Sequence, residues 1–266
     1  MDPRIQLGSL QGYKSPSQLT RVMTENWVGQ NMYCIACDSE TLQPARAGEP
    51  VIDFTCPDCL ERYQVKGKKK PFGGVVANSA YKQKMDAIQA GLTPDYLFLQ
   101  YDRDLMRVVN FFAVPGHFLS ESVIRERKPL SRSARRSGWI GSTILLGSLP
   151  IEARIQIISE GHVIPREFVR RNWQQFSFMR SQPPESRGWL IDVLSCVRHI
   201  DKQTFTLDDV YRYERELAGL HWRNRNIRPK IRQQLQILRD RGIIAFRGHG
   251  VYSFPVRTTQ NSQATR

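Results

Sequence analysis

Apolar and polar positions alternate with different periods along the chain, and the periods sort it into elements. In residues 13 to 29 a Ser/Pro stretch precedes Leu19, Val22, Met23 and Trp27 at helical spacing, which predicts a helix packed on a sheet. In residues 51 to 70, VIDFTCPDCLERYQVKGKKK, the period shortens to two over Tyr63-Gln64-Val65-Lys66, which predicts two short strands joined by a knuckle. Residues two apart share a face of a strand. Gln64 and Lys66 therefore point together, and a suitable register brings Asp53 beside them. Tyr81, Met85 and Ile88 return to helical spacing, with Gly91 as a stop. The runs 96–101 and 107–114 read as buried strands of a mixed sheet, 154–158 as a further strand and 168–179 as a helix. The polar, proline-containing stretch 181–186 ends regular structure. Beyond it Trp189, Leu190, Val193, Leu194, Val197 and Ile200 trace one helix. Val210, Leu217 and Leu220 trace a second, opened by a capping box at Thr206 and Asp209. A third runs over about 226–241, with Pro229 in its first turn and Gly242 at its end, and a hairpin over 243–254 follows. Three helices and a hairpin describe a winged helix. The pattern thus predicts an α/β mixed-sheet domain over residues 1–182, a winged helix over 186–254 and a disordered polar tail over 255–266.

Charge narrows the partners. The net charge of +14 and pI near 9.9 call for a polyanion, nucleic acid first and an anionic membrane surface second. No apolar run is long enough to span a bilayer, and the first residues lack a signal-peptide core, so the expected location is the cytoplasm. In that reducing compartment four of the five cysteines form two CxxC pairs, Cys34/Cys37 and Cys56/Cys59. Two such turns supply the tetrahedral sulfur set of a zinc ribbon, and because all four positions are filled the metal is structural. A redox pair is the alternative, but that motif normally comes singly. Cys196, in an apolar helical pattern, reads as a small buried residue.

The chemistry lies beside the knuckle. A carboxylate (Asp53), an amide oxygen (Gln64) and an ammonium (Lys66) converging on one face suit a hard cation and a phosphodiester under attack. Lys66, Lys68, Lys69 and Lys70 would be a solvated face elsewhere; here they abut that hairpin, where phosphate contacts are needed. Glu25, on the first helix, could face a metal site, though a helix carboxylate of this kind is more often solvated. The basic loop 125–141 carries Arg135, Arg136 and a lone aromatic, Trp139, between two glycines. Either the loop holds phosphates and presses the ring against a base, or the tryptophan folds back onto the core. In the last helix Arg228, Lys230, Arg232, Gln233, Gln234 and Gln236 are the residue types that pair with phosphate, guanine and adenine edges, and Asp240 is the only acid between Trp222 and Phe254.

Several stretches carry a family resemblance: Tyr33-Cys-x-x-Cys, Asp53-Phe-x-Cys-x-x-Cys, Lys66-x-Lys-Lys, Arg127-Lys-Pro-Leu with Ala-Arg-Arg-x-Gly-Trp-Ile-Gly, Ser186-Arg-Gly-Trp, and Lys230-Ile-Arg-Gln-Gln-Leu-Gln-Ile-Leu-Arg-Asp. Together they cover most of residues 13–254, and the chain resembles the DpnI-type methyl-directed restriction endonucleases. The resemblance implies a PD-(D/E)xK restriction-endonuclease-like sheet with a zinc-bound insertion and a C-terminal winged helix. It implies Mg2+-dependent (or Mn2+-dependent) cleavage of double-stranded DNA at GATC carrying N6-methyladenine, by a monomer in a bacterial cytoplasm. It assigns Asp53 to the catalytic metal, Lys66 to the scissile phosphate and Trp139 to the neighbourhood of the modified adenine. It departs at one position: the family has Glu where this chain has Gln64. The amide can still ligate magnesium, but the site loses a negative charge and holds metal less tightly. A methyladenine-dependent DNA-binding protein with weak or no catalysis is therefore the rival reading. A nuclease of the HNH type fits less well, because the five histidines are scattered.

Overall fold

A computed structural model of the chain describes residues 1–6, 15–46 and 51–255. The tail expected to be disordered lies outside them except for Pro255, as do residues 13 and 14 at the head of the first predicted helix. The chain forms two compact units, Met1–Gly188 and Trp189–Arg266. In the first, α1 (Pro16–Asn31) precedes β1 (Gln43–Pro44), β2 (Phe54–Thr55), β3 (Arg62–Lys68) and β4 (Val76–Ala80). Then follow α2 (Tyr81–Gln89), β5 (Asp95–Asp102), β6 (Arg107–Val114), β7 (Ile124–Glu126), β8 (Gly141–Ile144), β9 (Ile155–Ser159), β10 (His162–Val163) and α3 (Arg166–Phe176).

Seven strands make one mixed sheet in the order β1-β2-β3-β5-β6-β9-β10, and only β3 and β5 are parallel. Their connection is long enough to hold β4 and α2, as a parallel crossover needs. The strands β4, β8 and β7 form a separate small sheet that carries the basic loop. One face of the large sheet presents Tyr63, Leu97, Leu99 and Phe111 to a continuous core with Trp27 and Val28 of α1 and Val169 and Trp173 of α3. The ring of Trp27 meets Phe111 edge-on at 5.4 Å. Burying each such side chain contributes about 1.5–3 kcal/mol. The other face carries Gln64, Lys66, Tyr96, Phe98 and Phe112; Phe98 stacks between Tyr96 and Phe112, and Phe72 packs edge-on over it. Alternation along β3 thus separates a dry face from a chemical one, as the period of two requires.

The second unit is a winged helix. The helix α4 (Pro184–His199) leads into it, followed by β11 (Thr204–Thr206), α5 (Leu207–Tyr211), α6 (Glu214–Leu220), α7 (Ile227–Asp240), β12 (Ala245–Gly248) and β13 (Val251–Ser253). The predicted capping box is present, with Thr206 and Asp209 bonded reciprocally. The single second helix of the sequence reading is instead two, α5 and α6. The turn between them lets Val210 and Leu217 both bury completely while Leu220 stays exposed, an arrangement that no breaker residue announces. The strand β11 was likewise not anticipated; it pairs with β13 and completes a three-stranded wing sheet.

One glycine sets how α1 meets β3. A Cβ at Gly67 would lie 2.4 Å from Thr24 Cγ2, so only glycine admits the helix at this distance. Gly67→Ala is expected to destabilise the protein by about 1–3 kcal/mol through overpacking. Urea denaturation of Gly67→Ala and of the pair Gly67→Ala/Thr24→Ala measures it, and the second change should recover most of the loss.

Candidate functional site

The free edge of β3 is where the candidate chemistry gathers. The short β2 covers β3 only at Phe54↔Tyr63 and Thr55↔Arg62. Beyond that the ladder is continued by Asp53: its N–H donates to Tyr63 O at 2.9 Å, and its Oδ2 accepts from Val65 N at 2.7 Å. The register places Asp53 alongside Gln64 across this ladder, and Gln64 in turn pairs with Tyr96 of β5. Gln64 is 8% exposed, and its Oε1 is buried without a hydrogen-bond donor. An orphaned amide oxygen costs roughly 1–3 kcal/mol; a hard cation is a group that would satisfy it, so Asp53 and Gln64 fit a magnesium-type ion.

Lys66, on the same face, is half-buried, and burial pulls its pKa below the usual lysine value while the Asp53 charge pushes it back up. A cleft of about 340 Å³ opens beside it, lined among others by Glu25, Lys66, Lys68 and Phe72. Glu25 is therefore not the solvated carboxylate expected from the sequence. It is half-buried; burial lifts its pKa, its bond to Arg21 at 2.6 Å lowers it and the Asp53 charge lifts it again. Thr24 packed on Gly67 is what turns the next residue of α1 into the cleft.

Sequence reading missed Lys84. It took Tyr81, Met85 and Ile88 as the apolar stripe of α2, yet Lys84 is 2% exposed while Met85 is only half-buried. Its Nζ lies 2.9 Å from Tyr96 Oη, which also accepts from Asn78 Nδ2 at 2.8 Å. Burial first, and then the Lys66 charge, depress the Lys84 pKa from 10.5 to about 7. No sequence signal marks this lysine, because its position is read as helix surface until the sheet beneath it is known.

The four cysteines come together as expected. The Sγ atoms of Cys34 and Cys59 are 3.6 Å apart, those of Cys37 and Cys56 3.5 Å, and all four lie within 4.8 Å of one another. Tetrahedral zinc with Zn–S near 2.3 Å separates its sulfurs by roughly 3.8 Å, so the set fits zinc. Backbone N–H groups of Ala36 and Cys59 point at Cys34 and Cys56 sulfurs. The hydroxyl of the fully buried Tyr63 lies 3.1 Å from Cys34 Sγ, tying the sulfur cluster to the residue that precedes Gln64.

The residues expected to face a polyanion are less uniform than their composition suggests. Lys68 lies over the Phe72 ring at 4.4 Å. In the basic loop Arg135 and Arg136 are exposed, and Trp139 is half-buried. Its ring lies against Gly141, where a Cβ would come within 2.7 Å, and the Arg136 guanidinium covers it at 5.1 Å. The tryptophan is thus folded onto its own loop. On α7, Gln233 and Gln236 are exposed and Lys230 is half-buried. Arg228 and Arg232 are exposed but engaged: Arg228 pairs with Glu214 at 2.8 Å, Arg232 Nε donates to Tyr211 Oη at 2.6 Å, and both lie over the Tyr211 ring. Gln234 must be corrected as a base reader. It is 1% exposed among Ile231, Leu235 and Leu238, on the face that α7 turns to its core. The triplet Gln233-Gln234-Leu235 hides this, since helical spacing puts the middle residue three after Ile231. Trp222, before α7, is 74% exposed with Arg223 over its ring.

A mixed sheet bearing a tetracysteine cluster that fits zinc, joined in sequence to a winged helix, defines an α/β protein with a DNA-binding module. The Dam-replacing (DpnI) family model matches residues 1–182 and the Dam-replacing HTH domain model matches residues 185–253. The chain belongs to the DpnI, Dam-replacing, family of restriction nucleases. Among the described residues no helix is long and apolar enough to cross a membrane.

Two measurements check this site. Metal analysis of the purified protein is expected to find one zinc per chain, and Cys34→Ser to lose it together with several kcal/mol of stability, structural zinc being a folding ligand. Stoichiometric zinc retained by Cys34→Ser would contradict the assignment. The second concerns Lys84. Its folded pKa lies below its unfolded one, so the buried charge costs stability below about pH 7 and the cost fades as pH rises toward 10.5. Lys84→Met should raise Tm at pH 6–7 by about 5 °C, at about 2–4 °C per kcal/mol, with the gain shrinking by pH 9.5. A gain that does not change with pH would show that the ammonium is not destabilised by folding.

Proposed function

We propose that this protein is a methyl-directed restriction endonuclease that cleaves double-stranded DNA at GATC containing N6-methyladenine, as a monomer, by metal-dependent phosphodiester hydrolysis. The observation that carries the reading is the convergence of Asp53, the orphaned Gln64 oxygen and Lys66 on the open edge of β3 in a chain of this family. Asp53 and Gln64 would hold the divalent cation, Mg2+ or Mn2+. When bound, such an ion polarises the phosphate and lowers the pKa of a coordinated water. Lys66 places its amine beside Asp53, where charge develops on a phosphate under attack. Lys68 and the exposed arginines of the loop, Arg135 and Arg136, hold the DNA backbone and carry no sequence information. Gln233, Gln236 and Lys230 on the exposed side of α7 are the candidates for base edges. A methyl on adenine is read by apolar contact, as a thymine methyl is. Trp139 is the candidate in the first unit; to serve, its ring must leave Gly141 and the cover of Arg136.

A second reading keeps the fold and loses the chemistry: a methyladenine-dependent DNA-binding protein. The neutral amide at position 64 and the buried Lys84 favour it, because both move the site toward positive charge and away from a divalent cation.

Incubating methylated and unmethylated GATC plasmid with the protein across a Mg2+ and Mn2+ titration separates the readings. Cleavage of the methylated plasmid alone is expected, and Asp53→Asn or Lys66→Met should lower its rate by about two orders of magnitude or more. No cleavage at any metal concentration, with a clear gel shift on methylated DNA, would establish the binding protein instead. Within the nuclease reading Gln64→Glu restores a carboxylate, and the metal concentration for half-maximal rate is expected to fall about tenfold. An unchanged requirement would show that charge at position 64 does not govern metal affinity.

A further inference from the structure

A second polar cavity lies at the opposite end of β3 from the cleft. It measures about 200 Å³ and is lined by Arg62, Thr93, Asp95, His117, Arg180 and Arg187, among others. From Arg62, at the start of β3, to Lys66 is four residues, about 13 Å of strand, so this cavity is separate from the Asp53 site.

Its charges do not balance. Arg187 is 4% exposed, yet its only acceptor among the described residues is Ile88 O at 3.2 Å, and its Nε has none. Burial pulls its pKa down, the signature of a guanidinium taken out of water without a counter-charge. Arg62 is likewise held by a backbone carbonyl, Leu92 O at 2.7 Å, and among the described residues by no carboxylate. Two acids lie nearby, but both are engaged. Glu61 pairs with Arg180 at 2.6 Å. Asp95 takes Gly116 N on one oxygen and Trp173 Nε1 on the other, each at 2.7 Å. His117, 5% exposed, has no partner for Nε2, and Thr93 Oγ1 has none either. Burial, Arg180 and Arg187 hold the His117 pKa down to about 3, so the neutral ring can offer one N–H. Besides the paired Glu61 and Arg180 and the engaged Asp95, the lining offers two guanidinium groups without counter-ions among the described residues, a hydroxyl and an imidazole, around a space the size of a small ion with some water.

We propose that this cavity is a binding site for a phosphate group bearing at most one ester, contacted by Arg187 and Arg62 with His117 and Thr93 as further donors. Arginine forks match the edges of a tetrahedral oxyanion. The size and enclosure of the space admit inorganic phosphate or the terminal phosphate of a cut strand. A phosphate inside a continuous duplex, which carries a sugar on each side, is excluded. The site stands whether or not the Asp53 centre cleaves DNA.

Calorimetric titration of the full chain with inorganic phosphate, in chloride buffer without divalent cations, tests it. Wild type is expected to bind one phosphate per chain saturably below 1 mM, Arg187→Met at least tenfold more weakly, and Arg62→Met several-fold more weakly. Arg103→Met, exposed just beyond the end of β5 remote from the cavity, should bind as wild type. Should Arg187→Met fail to fold, as circular dichroism would reveal, Arg62→Met carries the comparison, being only half-buried. A second arm compares a short oligonucleotide with and without a 5′-phosphate. Tighter binding of the phosphorylated strand that Arg187→Met or Arg62→Met abolishes identifies a strand terminus as the source. Response to inorganic phosphate alone identifies the free ion. No saturable phosphate binding in either arm, or binding equal in wild type and both arginine variants, overturns the proposal.

Discussion

The contact that links the cysteine cluster to the strand of the candidate site is small: the Tyr63 hydroxyl against the Cys34 sulfur, 3.1 Å apart in a fully buried setting. Through it the sulfur cluster grips β3 from the dry face of the sheet, one residue before Gln64 turns to the other face. The same strand is held on its flank by the backbone of Asp53 and across the sheet by β5. A structural metal held by these sulfurs would thus help fix the position and register of the residues proposed to do the chemistry. Loss of the cluster would free the start of β3, and with it the alignment of Asp53, Gln64 and Lys66, without touching any of those side chains.

Much of this was legible in the chain, for identifiable reasons. The alternation over Tyr63-Gln64-Val65-Lys66 has the period of a strand and nothing else, so the shared face followed from it. The paired CxxC motifs constrain themselves, since two knuckles bring four sulfurs together in any fold that closes them. The capping box at Thr206 and Asp209 is local and needs no tertiary context. What escaped was whatever depends on a neighbour distant in sequence. Lys84 buries because Tyr96 lies beneath it. Glu25 turns into a cleft because Gly67, forty-two positions away, has no side chain. Gln234 sits inward because the packing of α7 wins over the chemistry of its side chain, and amide residues carry no periodic signal that would betray it. The turn between α5 and α6 follows from burying Val210 and Leu217 together, which the stripe alone does not require.

Electrostatics complicates the basic character of the chain in an instructive way. A high net charge suggests a uniformly positive surface open to DNA, yet several of the cations are already committed. Arg228 and Arg232 brace Tyr211 and Glu214, Arg136 lies over Trp139, and Arg180 is taken by Glu61. For those near an exposed surface, contact with a polyanion means exchanging an internal partner for a phosphate, which trims affinity and makes the gain depend on how good the new geometry is. The arginines and lysines without such partners, Lys230 and Arg135 among them, are freer to engage without that exchange.

Asp53 and Gln64 stand side by side on the same hairpin but are not equally replaceable. The Asp53 carboxylate doubles as a rung of the β3 ladder through Val65 N, so altering it disturbs the backbone as well as the chemistry. Among the described residues the Gln64 oxygen accepts no hydrogen bond, so a change there leaves the β3 ladder itself untouched, while a carboxylate in its place needs a cation or a proton to offset its burial. A change at position 64 therefore acts on the charge offered to a metal, while a change at position 53 acts on the strand as well. Of the two residues proposed to hold the cation, one is thus stitched into the backbone ladder and the other is free of it.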